Sequence, residues 1–203
     1  MKKHGYQTIA PRPGLSPLFT KEKTKNIDGI RVKAEVTLLA NNKAVHQEIG
    51  ETLFKEHGLS GIVIFDIMSL ISRNQNFEYK IKIDLLPEFS ENYLKIYRKS
   101  HKFSEFLLAF INPKISSYLR ERFKNDDDIF ASLKSLEFTF DKSYGFEFSQ
   151  VSVGGIKVNE VDNNLMSKKE NNVYIIGELL DIDGPCGGYN LTWAFASALK
   201  ATK

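Results

Sequence analysis

Apolar and polar residues alternate along several stretches of the first half of the chain. Residues 32–38 place an apolar side chain at every second position, and residues 77–83 repeat the pattern. Such alternation is typical of strands with one buried face. The polar turn Asn41-Asn42-Lys43 predicts a returning strand at residues 44–47, followed by a separate short strand at residues 51–54.

Prolines and glycines indicate where other strands end. Residues 6–10 predict a short strand, which Pro11-Arg12-Pro13-Gly14 should stop, because a proline fixes φ and lacks a backbone donor. Strand character returns at residues 136–140 and 146–153. We expect Gly154-Gly155 to form a turn after the last of these strands.

A different period marks the helices. Residues 62–72 are apolar around nearly the whole helix circumference, so this helix should be packed on most sides, with Ser60 as its N-cap. Four later segments have helical spacing and predict a small helical insertion between strands. These segments are residues 91–100, 103–111, 113–123 and 126–134.

The end of the chain combines a strand, a glycine-rich loop and a helix. Residues 173–176 form an apolar run that suits a fully buried strand, and residues 191–201 have helical spacing. The first N–H groups of a helix are unpaired and lie at the positive end of its dipole, so an anionic ligand fits there. Gly187 and Gly188 let the backbone approach a flat or phosphorylated cofactor, and Asn190 is the expected helix cap.

Glu178 is the candidate polar contact beside this loop. It follows the predicted strand, where ligand-contacting residues of open α/β sheets lie, and its carboxylate suits sugar hydroxyls. Spacing alone also allows a simpler interpretation, in which the glycines make a tight turn, Glu178 is a surface carboxylate and Asn190 only caps the helix. The pattern by itself does not identify a flavin.

The charge distribution argues against nucleic-acid and membrane partners. The 203 residues include 28 Lys and Arg against 25 Asp and Glu, for a formal charge of +3, and the basic residues are spread out. The longest apolar run, residues 61–68, contains Asp66 and is far too short to span a bilayer. We therefore expect a soluble, cytoplasmic protein that binds neither nucleic acid nor membrane.

The residues that usually bind metals do not form a ligand pattern. Cys186 is the only cysteine, which excludes an intramolecular disulfide and paired zinc thiolates, and a small loop residue is its simplest role. The four histidines lie far apart in sequence. Asp126-Asp127-Asp128 suit the first turn of a helix, and Asp181 and Asp183 suit the shaping of a loop. We expect no metal site.

Residues 173–197 carry a long and specific match to a known family. Their sequence, VYIIGELLDIDGPCGGYNLTWAFAS, resembles the C-terminal signature of the BaiN/YhiN-like flavoproteins, also called the aminoacetone oxidase family. Four other segments resemble the same family in the same order, so the resemblance covers nearly the whole chain. These segments are residues 5–18, 53–61, 83–87 and 151–168.

The resemblance implies an FAD-dependent oxidoreductase with an α+β fold. A Rossmann-like FAD-binding domain would be split between the two ends of the polypeptide, with a β-rich, barrel-like domain and a small helical domain inserted. For this chain it implies an inserted domain at residues 1–150, with its helical part near residues 90–135. Residues 151–203 would be the C-terminal strand-loop-helix segment of the FAD-binding domain.

The resemblance also implies cofactor contacts. Gly177 and Glu178 would meet the ribityl and pyrophosphate part of FAD, and Gly154-Gly155 would mark the return of the chain into the FAD-binding domain. Four residues of the loop and helix start would lie near the isoalloxazine ring, and the catalytic residues stay unknown. The four are Gly187, Gly188, Tyr189 and Asn190.

Two features of the family are missing. Nothing in residues 1–14 replaces its N-terminal G-x-G-x-x-G, and residues 142–146 lack the arginine of a Thr-Arg-Gly-Phe-like stretch. We therefore expect the chain to retain FAD poorly alone and to need a separately encoded N-terminal FAD-binding half or a second copy, with a small molecule as substrate. The alternative is a truncated, non-catalytic remnant or protein-interaction module. An exposed apolar patch at residues 173–176 and the last helix would favour the first hypothesis.

Overall fold

A computed structural model describes residues 4–202 of the chain. These residues form two compact units whose segments alternate along the sequence. The barrel unit comprises Leu18–Ile64 and Asn76–Lys142. The terminal unit comprises the segment that ends at Pro17, Phe65–Gln75 and the segment from Ser143 onward. The predicted domain boundary between residues 150 and 151 stays a prediction.

The described residues contain eight strands and six helices. The strands are β1 (Thr8–Gly14), β2 (Leu18–Thr20), β3 (Arg31–Ala40), β4 (Lys43–Lys55), β5 (Gly58–Ser60), β6 (Tyr79–Asp84), β7 (Leu136–Ser143) and β8 (Val151–Ile156). The helices are α1 (Ile62–Arg73), α2 (Glu91–Lys99), α3 (Phe103–Phe110), α4 (Pro113–Arg122), α5 (Asp126–Lys134) and α6 (Tyr189–Ala201). None of the helices in residues 4–202 is both long and apolar enough to cross a membrane.

Six strands close the barrel unit into a barrel, with neighbours in the order β2-β5-β4-β3-β6-β7. Alternate side chains fill its interior, where Phe54 and Phe138 are fully buried with ring centroids 6.1 Å apart. The strands predicted at residues 32–38 and 77–83 are confirmed as β3 and β6, although β6 begins only at Tyr79. Their charged residues are exposed or half-buried, as the alternation predicts, whereas Thr37 of β3 is buried.

β3 and β4 form a long antiparallel hairpin. Asn41 and Asn42 have φ values of 48° and 63°, the left-handed conformation that a tight hairpin turn requires. The prediction of separate strands at residues 44–47 and 51–54 is wrong, because β4 runs unbroken and its residues 43–53 pair with β3, with one register shift between Leu38 and Leu39. The residues between the two predicted strands simply continue the ladder.

The helical insertion is confirmed as α2 to α5 of the barrel unit. Three of these helices begin with side-chain caps that accept a hydrogen bond from a backbone N–H, which pairs one of the orphan donors of a helix start. The caps are Ser90, Asn112 and Asn125. Asp126, Asp127 and Asp128 lie in the first turn of α5, as predicted. Within residues 4–202, no cluster of His, Cys, Asp and Glu is placed to hold a metal ion.

α1 is packed on most sides, as predicted. Its exposed positions, Ile62, Leu70 and Arg73, fall on one narrow side of the helix, and the other positions are buried or half-buried. The predicted cap is wrong, because Ser60 ends β5 and Gly61, with φ of 104°, precedes the helix. The buried positions are Val63, Ile64, Ile67, Met68, Ser69, Ile71 and Ser72.

The terminal unit contains a two-stranded antiparallel sheet of β1 and β8. The prediction that Pro11-Arg12-Pro13-Gly14 ends regular structure is wrong, since β1 continues to Gly14 with a register shift between Ile9 and Arg12. Prolines fit here because β1 has a ladder partner on one side only. The strand predicted at residues 146–153 begins only at Val151, and residues 146–148 form a short 3₁₀ turn.

Gly154 and Gly155 continue β8 instead of forming the predicted turn. Their φ values are 110° and 137°. A Cβ atom on Gly154 would lie 2.8 Å from the carbonyl oxygen of Ala10, and one on Gly155 would lie 2.7 Å from that of Leu179. The glycines therefore allow close approach of neighbouring backbone within an extended strand.

Residues 173–176 do not form the predicted buried strand. Ile175 is buried, but Val173, Tyr174 and Ile176 are exposed, and the segment makes only an isolated bridge from Tyr174 to Met166. A fully buried strand needs neighbours on both sides, and the described residues form no ladder with this segment. α6 begins two residues earlier than predicted. The barrel, the helical insertion and this loop-helix end confirm the predicted α+β fold.

Candidate functional site

A cleft of about 330 Å³ opens in the terminal unit at the N-terminus of α6. Four of the predicted site residues line it, namely Glu178, Gly187, Gly188 and Asn190, whereas Gly177 and Tyr189 do not. The rest of the lining is mainly apolar. It includes Leu15, Val151, Ile182, Pro185, Leu191, Trp193 and Ala194.

The start of α6 is open towards ligands. Gly188 is the residue before the helix, with φ of 90°, and no side chain caps the first turn within the described residues. A Cβ atom on Gly188 would meet nothing within 4 Å, so its glycine is required by backbone conformation and not by crowding. The first N–H groups of α6 are therefore available as donors.

Asn190 fixes the loop instead of capping the helix, so the predicted cap is wrong. Its Oδ1 accepts a hydrogen bond of 2.9 Å from the backbone N–H of Gly184, and its Nδ2 donates one of 2.9 Å to the carbonyl oxygen of Gly184. Asn190 is the second residue of α6, too far along the helix to act as its cap. This reciprocal pair closes the loop that carries Gly187 and Gly188.

Gly177 lies behind the cleft, where its backbone is bound by α6. Its N–H donates to Ser197 Oγ at 2.9 Å, and its carbonyl oxygen accepts a hydrogen bond of 3.1 Å from Trp193 Nε1. Its φ of 59° favours glycine. Trp193 thus presents its ring to the cleft while its indole N–H is paired.

Glu178 is exposed and has one oxygen already occupied. Its Oε1 accepts a hydrogen bond from the backbone N–H of Ser152 in β8. The carboxylate is therefore oriented by β8, and Glu178 lines the cleft.

Two α1 residues near the cleft were not identified from the sequence. Asp66 accepts a hydrogen bond of 2.7 Å from the backbone N–H of Cys186, and Arg73 forms ion pairs with Asp181 and Asp183. Burial raises the pKa of Asp183, an effect that the Arg73 guanidinium partly offsets. A charged residue inside the apolar run of α1 was the available signal, because such a charge needs a partner.

One exposed face of α6 is apolar. Leu191, Phe195 and Leu199 are spaced by four residues along one face and are 69%, 72% and 66% exposed. Apolar side chains of the preceding segment are exposed as well, namely Val173, Tyr174, Ile176 and Leu179. We call these seven exposed residues the apolar face of the terminal unit. Exposed apolar side chains in residues 173–176 and the last helix are what the first hypothesis expects.

Comparison with known proteins gives matches along nearly the whole chain. Residues 12–135 match the model of the HI0933-like protein barrel and H2TH domain, and residues 131–203 match that of the HI0933-like protein Rossmann domain.

Three curated relatives are similar over most of this chain. The 3-dehydro-bile acid delta(4,6)-reductase of Clostridium scindens is 30% identical over 85% of this chain and 48% of its own length. The ribosomal RNA dihydrouridine synthases of Haemophilus influenzae and Escherichia coli are 27% and 29% identical, each over 96% of this chain and 51% and 52% of their own lengths. The chain therefore spans about half the length of these relatives.

Proposed function

Since this chain belongs to the HI0933-like protein family, we propose that it supplies the substrate-side domain and one wall of the flavin site of an FAD-dependent oxidoreductase. The observation that carries the proposal is the cleft at the uncapped start of α6, lined by Gly187, Gly188 and Glu178. Family membership agrees with the resemblance of residues 173–197 to the BaiN/YhiN-like flavoproteins.

The residues around the cleft fit part of an FAD molecule. Free N–H donors at the start of α6 and the open space at Gly188 suit the polar edge of a flat ring. Leu15, Ile182 and Trp193 provide an apolar wall. The volume lies at the small end of the roughly 300–1,000 Å³ that holds a drug-sized ligand, so the cleft suits one part of a dinucleotide.

The residues that line the cleft then have defined roles in binding FAD. When bound, FAD supplies the electron-transfer chemistry that protein side chains lack. The α6 N–H groups hold the polar ring edge, the free oxygen of Glu178 accepts a hydrogen bond from a sugar hydroxyl, and Trp193 excludes water from the ring face.

The relatives' names support a substrate class. A delta(4,6)-reductase and a dihydrouridine synthase are both named for the reduction of carbon–carbon double bonds, although a bile acid and a ribosomal RNA differ greatly in size. We propose accordingly that the substrate of the present protein has a carbon–carbon double bond that a neighbouring carbonyl group activates for hydride addition. The expected small-molecule substrate agrees with the name of the bile acid relative and differs from those of the ribosomal RNA relatives.

The apolar face of the terminal unit is the surface for the rest of the dinucleotide-binding domain. Only residues 131–203 match the Rossmann model, and the relatives are about twice as long as this chain. An N-terminal half of the dinucleotide-binding domain that covers Leu191, Phe195 and Leu199 would supply a phosphate-binding loop and the opposite wall of the site. A second copy of this chain would cover the face without supplying that loop.

The test is to purify the chain alone and with an N-terminal half of the family, each after incubation with FAD, and to record the visible absorption of retained flavin. Flavin retained only by the pair supports the proposal. Phe195→Asp should abolish pairing and retention, while Leu108→Asp, at an exposed leucine of α3, should leave both intact.

Three outcomes would contradict this assignment. Retention of FAD by the chain alone would show that the missing half is unnecessary. A pair that forms without retaining flavin would favour the alternative of a non-catalytic interaction module, and dimers of the chain alone would identify a second copy as the occupant of the face.

A further inference from the structure

We propose that Asp66 and Arg73 of α1 are positioning residues that hold the loop at residues 181–188 in its cleft-lining conformation. The inference rests on the proposed function for its consequence in flavin binding, but the loop contacts themselves are independent of it. Neither side chain lines the cleft, so both act through the loop.

The loop has little intrinsic order. It contains Gly184, Gly187 and Gly188, and glycine has the largest backbone freedom of any residue. The last two adopt φ values of 121° and 90°. Interactions from outside the loop must therefore select this conformation from many.

α1 supplies those interactions at two points. Asp66 accepts from the Cys186 N–H at 2.7 Å, and Arg73 Nη1 donates to Asp181 Oδ1 at 3.0 Å while its second nitrogen binds Asp183. Asp66 and Arg73 are seven residues apart, close to two full turns, so both lie on one face of the helix. Charge-assisted hydrogen bonds of this kind are about twice as strong as neutral ones.

The two anchors act on different parts of the loop. Arg73 binds Asp181 and Asp183, where the loop leaves the 3₁₀ turn at Gly177–Leu179. The side chains of these two aspartates are only 13% and 7% exposed. The Asp66 contact comes directly before Gly187. Between them, Asn190 binds Gly184, so the backbone is held at its start, middle and end.

Cys186 provides the assay, because it is the only thiol in the chain. In Asp66→Ala and Arg73→Ala, we expect its alkylation by a neutral reagent to become about tenfold faster or more, because each change removes a charge-assisted contact. The two changes alter the local charge in opposite directions. A purely electrostatic effect on the thiol would therefore accelerate one variant and slow the other, whereas a released loop accelerates both.

Amide hydrogen exchange gives a second readout. Exchange at Cys186 and its neighbours should rise in both variants while the unfolding temperature and the exchange of the barrel unit stay unchanged. Asp66→Asn keeps an acceptor oxygen and should recover part of the protection. Asp127→Ala removes a carboxylate that pairs with Arg98 in the barrel unit at 2.8 Å and is the matched control.

The outcomes separate this inference from the proposed function. Unchanged alkylation and loop exchange in both alanine variants would overturn it, as would loop exchange that rises only with global unfolding. If the pair with an N-terminal half retains FAD, both variants should weaken retention about tenfold. If the wild-type pair retains none, the proposed function fails while the loop measurements still decide the positioning role. Should one alanine variant not fold, loop exchange in the other, compared with Asp127→Ala, carries the test, because amide exchange of the loop does not depend on the charge effect on the thiol.

Discussion

Asn190→Ala should release the glycine-rich loop without unfolding the protein. The change removes two hydrogen bonds of 2.9 Å, one to the N–H and one to the carbonyl oxygen of Gly184. A typical intramolecular hydrogen bond contributes about 0.5–1.5 kcal/mol, so the loss is about 1–3 kcal/mol. Because the loop lies at the surface, this loss should appear as local opening, and exchange of the Gly184 amide should accelerate about 5- to 150-fold.

Amide exchange measured by mass spectrometry or NMR tests this prediction. Asn190→Asp keeps the acceptor for the Gly184 N–H but loses the donor, so its effect should be intermediate. Asn92 is exposed and occupies the equivalent second position of α2, which makes Asn92→Ala the matched control for helix propensity. Equal exchange of Gly184 in the wild type and Asn190→Ala would refute the conclusion that Asn190 closes the loop.

Three further predictions concern stability. Gly188→Ala should cost about 1–2 kcal/mol in urea unfolding, because its φ of 90° disfavours a side chain although space is open. Thr52→Val should raise the free energy of unfolding by about 1 kcal/mol, since Thr52 Oγ1 is buried without a hydrogen-bond partner in the described part of the chain. Its control, Thr24→Val, should lower the free energy of unfolding by a similar amount, because Thr24 Oγ1 donates to the carbonyl oxygen of Lys55 at 2.7 Å. The hydrogen bond from Lys169 lowers the pKa of Glu160. The ionised Glu160 therefore stabilises the fold above the unfolded pKa of about 4.3, and this stabilisation is lost as pH falls through the folded pKa. When thermal unfolding is measured at a series of pH values, Glu160→Gln should reduce the fall of the unfolding temperature at acid pH.

Local patterns predicted the barrel strands and the helical insertion. Strands such as β3 and β6 have one solvent-facing and one buried face, so their own sequences alternate between polar and apolar residues. Three of the helices α2 to α5 have a side-chain cap at their start, and three have an acidic residue in the first turn. These elements depend on interactions that lie close in sequence.

The strands that were predicted wrongly depend on pairing with segments that are distant along the chain. β4 is continuous because β3 offers a partner along residues 43–53, and β1 tolerates Pro11 and Pro13 because it is paired on one side. Residues 173–176 show the opposite case, since an apolar run without neighbouring strands does not become a strand. None of these conditions can be deduced from the local sequence.

In the candidate site, too, the local sequence identified some residues and missed the partners that are distant along the chain. The sequence identified the glycines and Glu178, but the partners that orient them, Ser152 and Asp66, lie far away along the chain and meet them only after folding. Asp66 was interpreted only as an argument against a membrane span. Its carboxylate instead supports the loop beside the cleft.

The cleft loop and the apolar face of the terminal unit differ in what they require. Side chains of the same unit, on α1 and α6, hold the loop, so it is ordered before any further domain arrives. The apolar face has no such partner among residues 4–202, and about 25 cal/mol is gained for each Å² of apolar surface that a docking domain would cover. Covering that face can therefore drive association, while the preformed loop reduces the ordering cost of ligand binding. It follows that a charge on Phe195 should prevent assembly without loosening the loop, whereas loss of Asp66 should loosen the loop without preventing assembly.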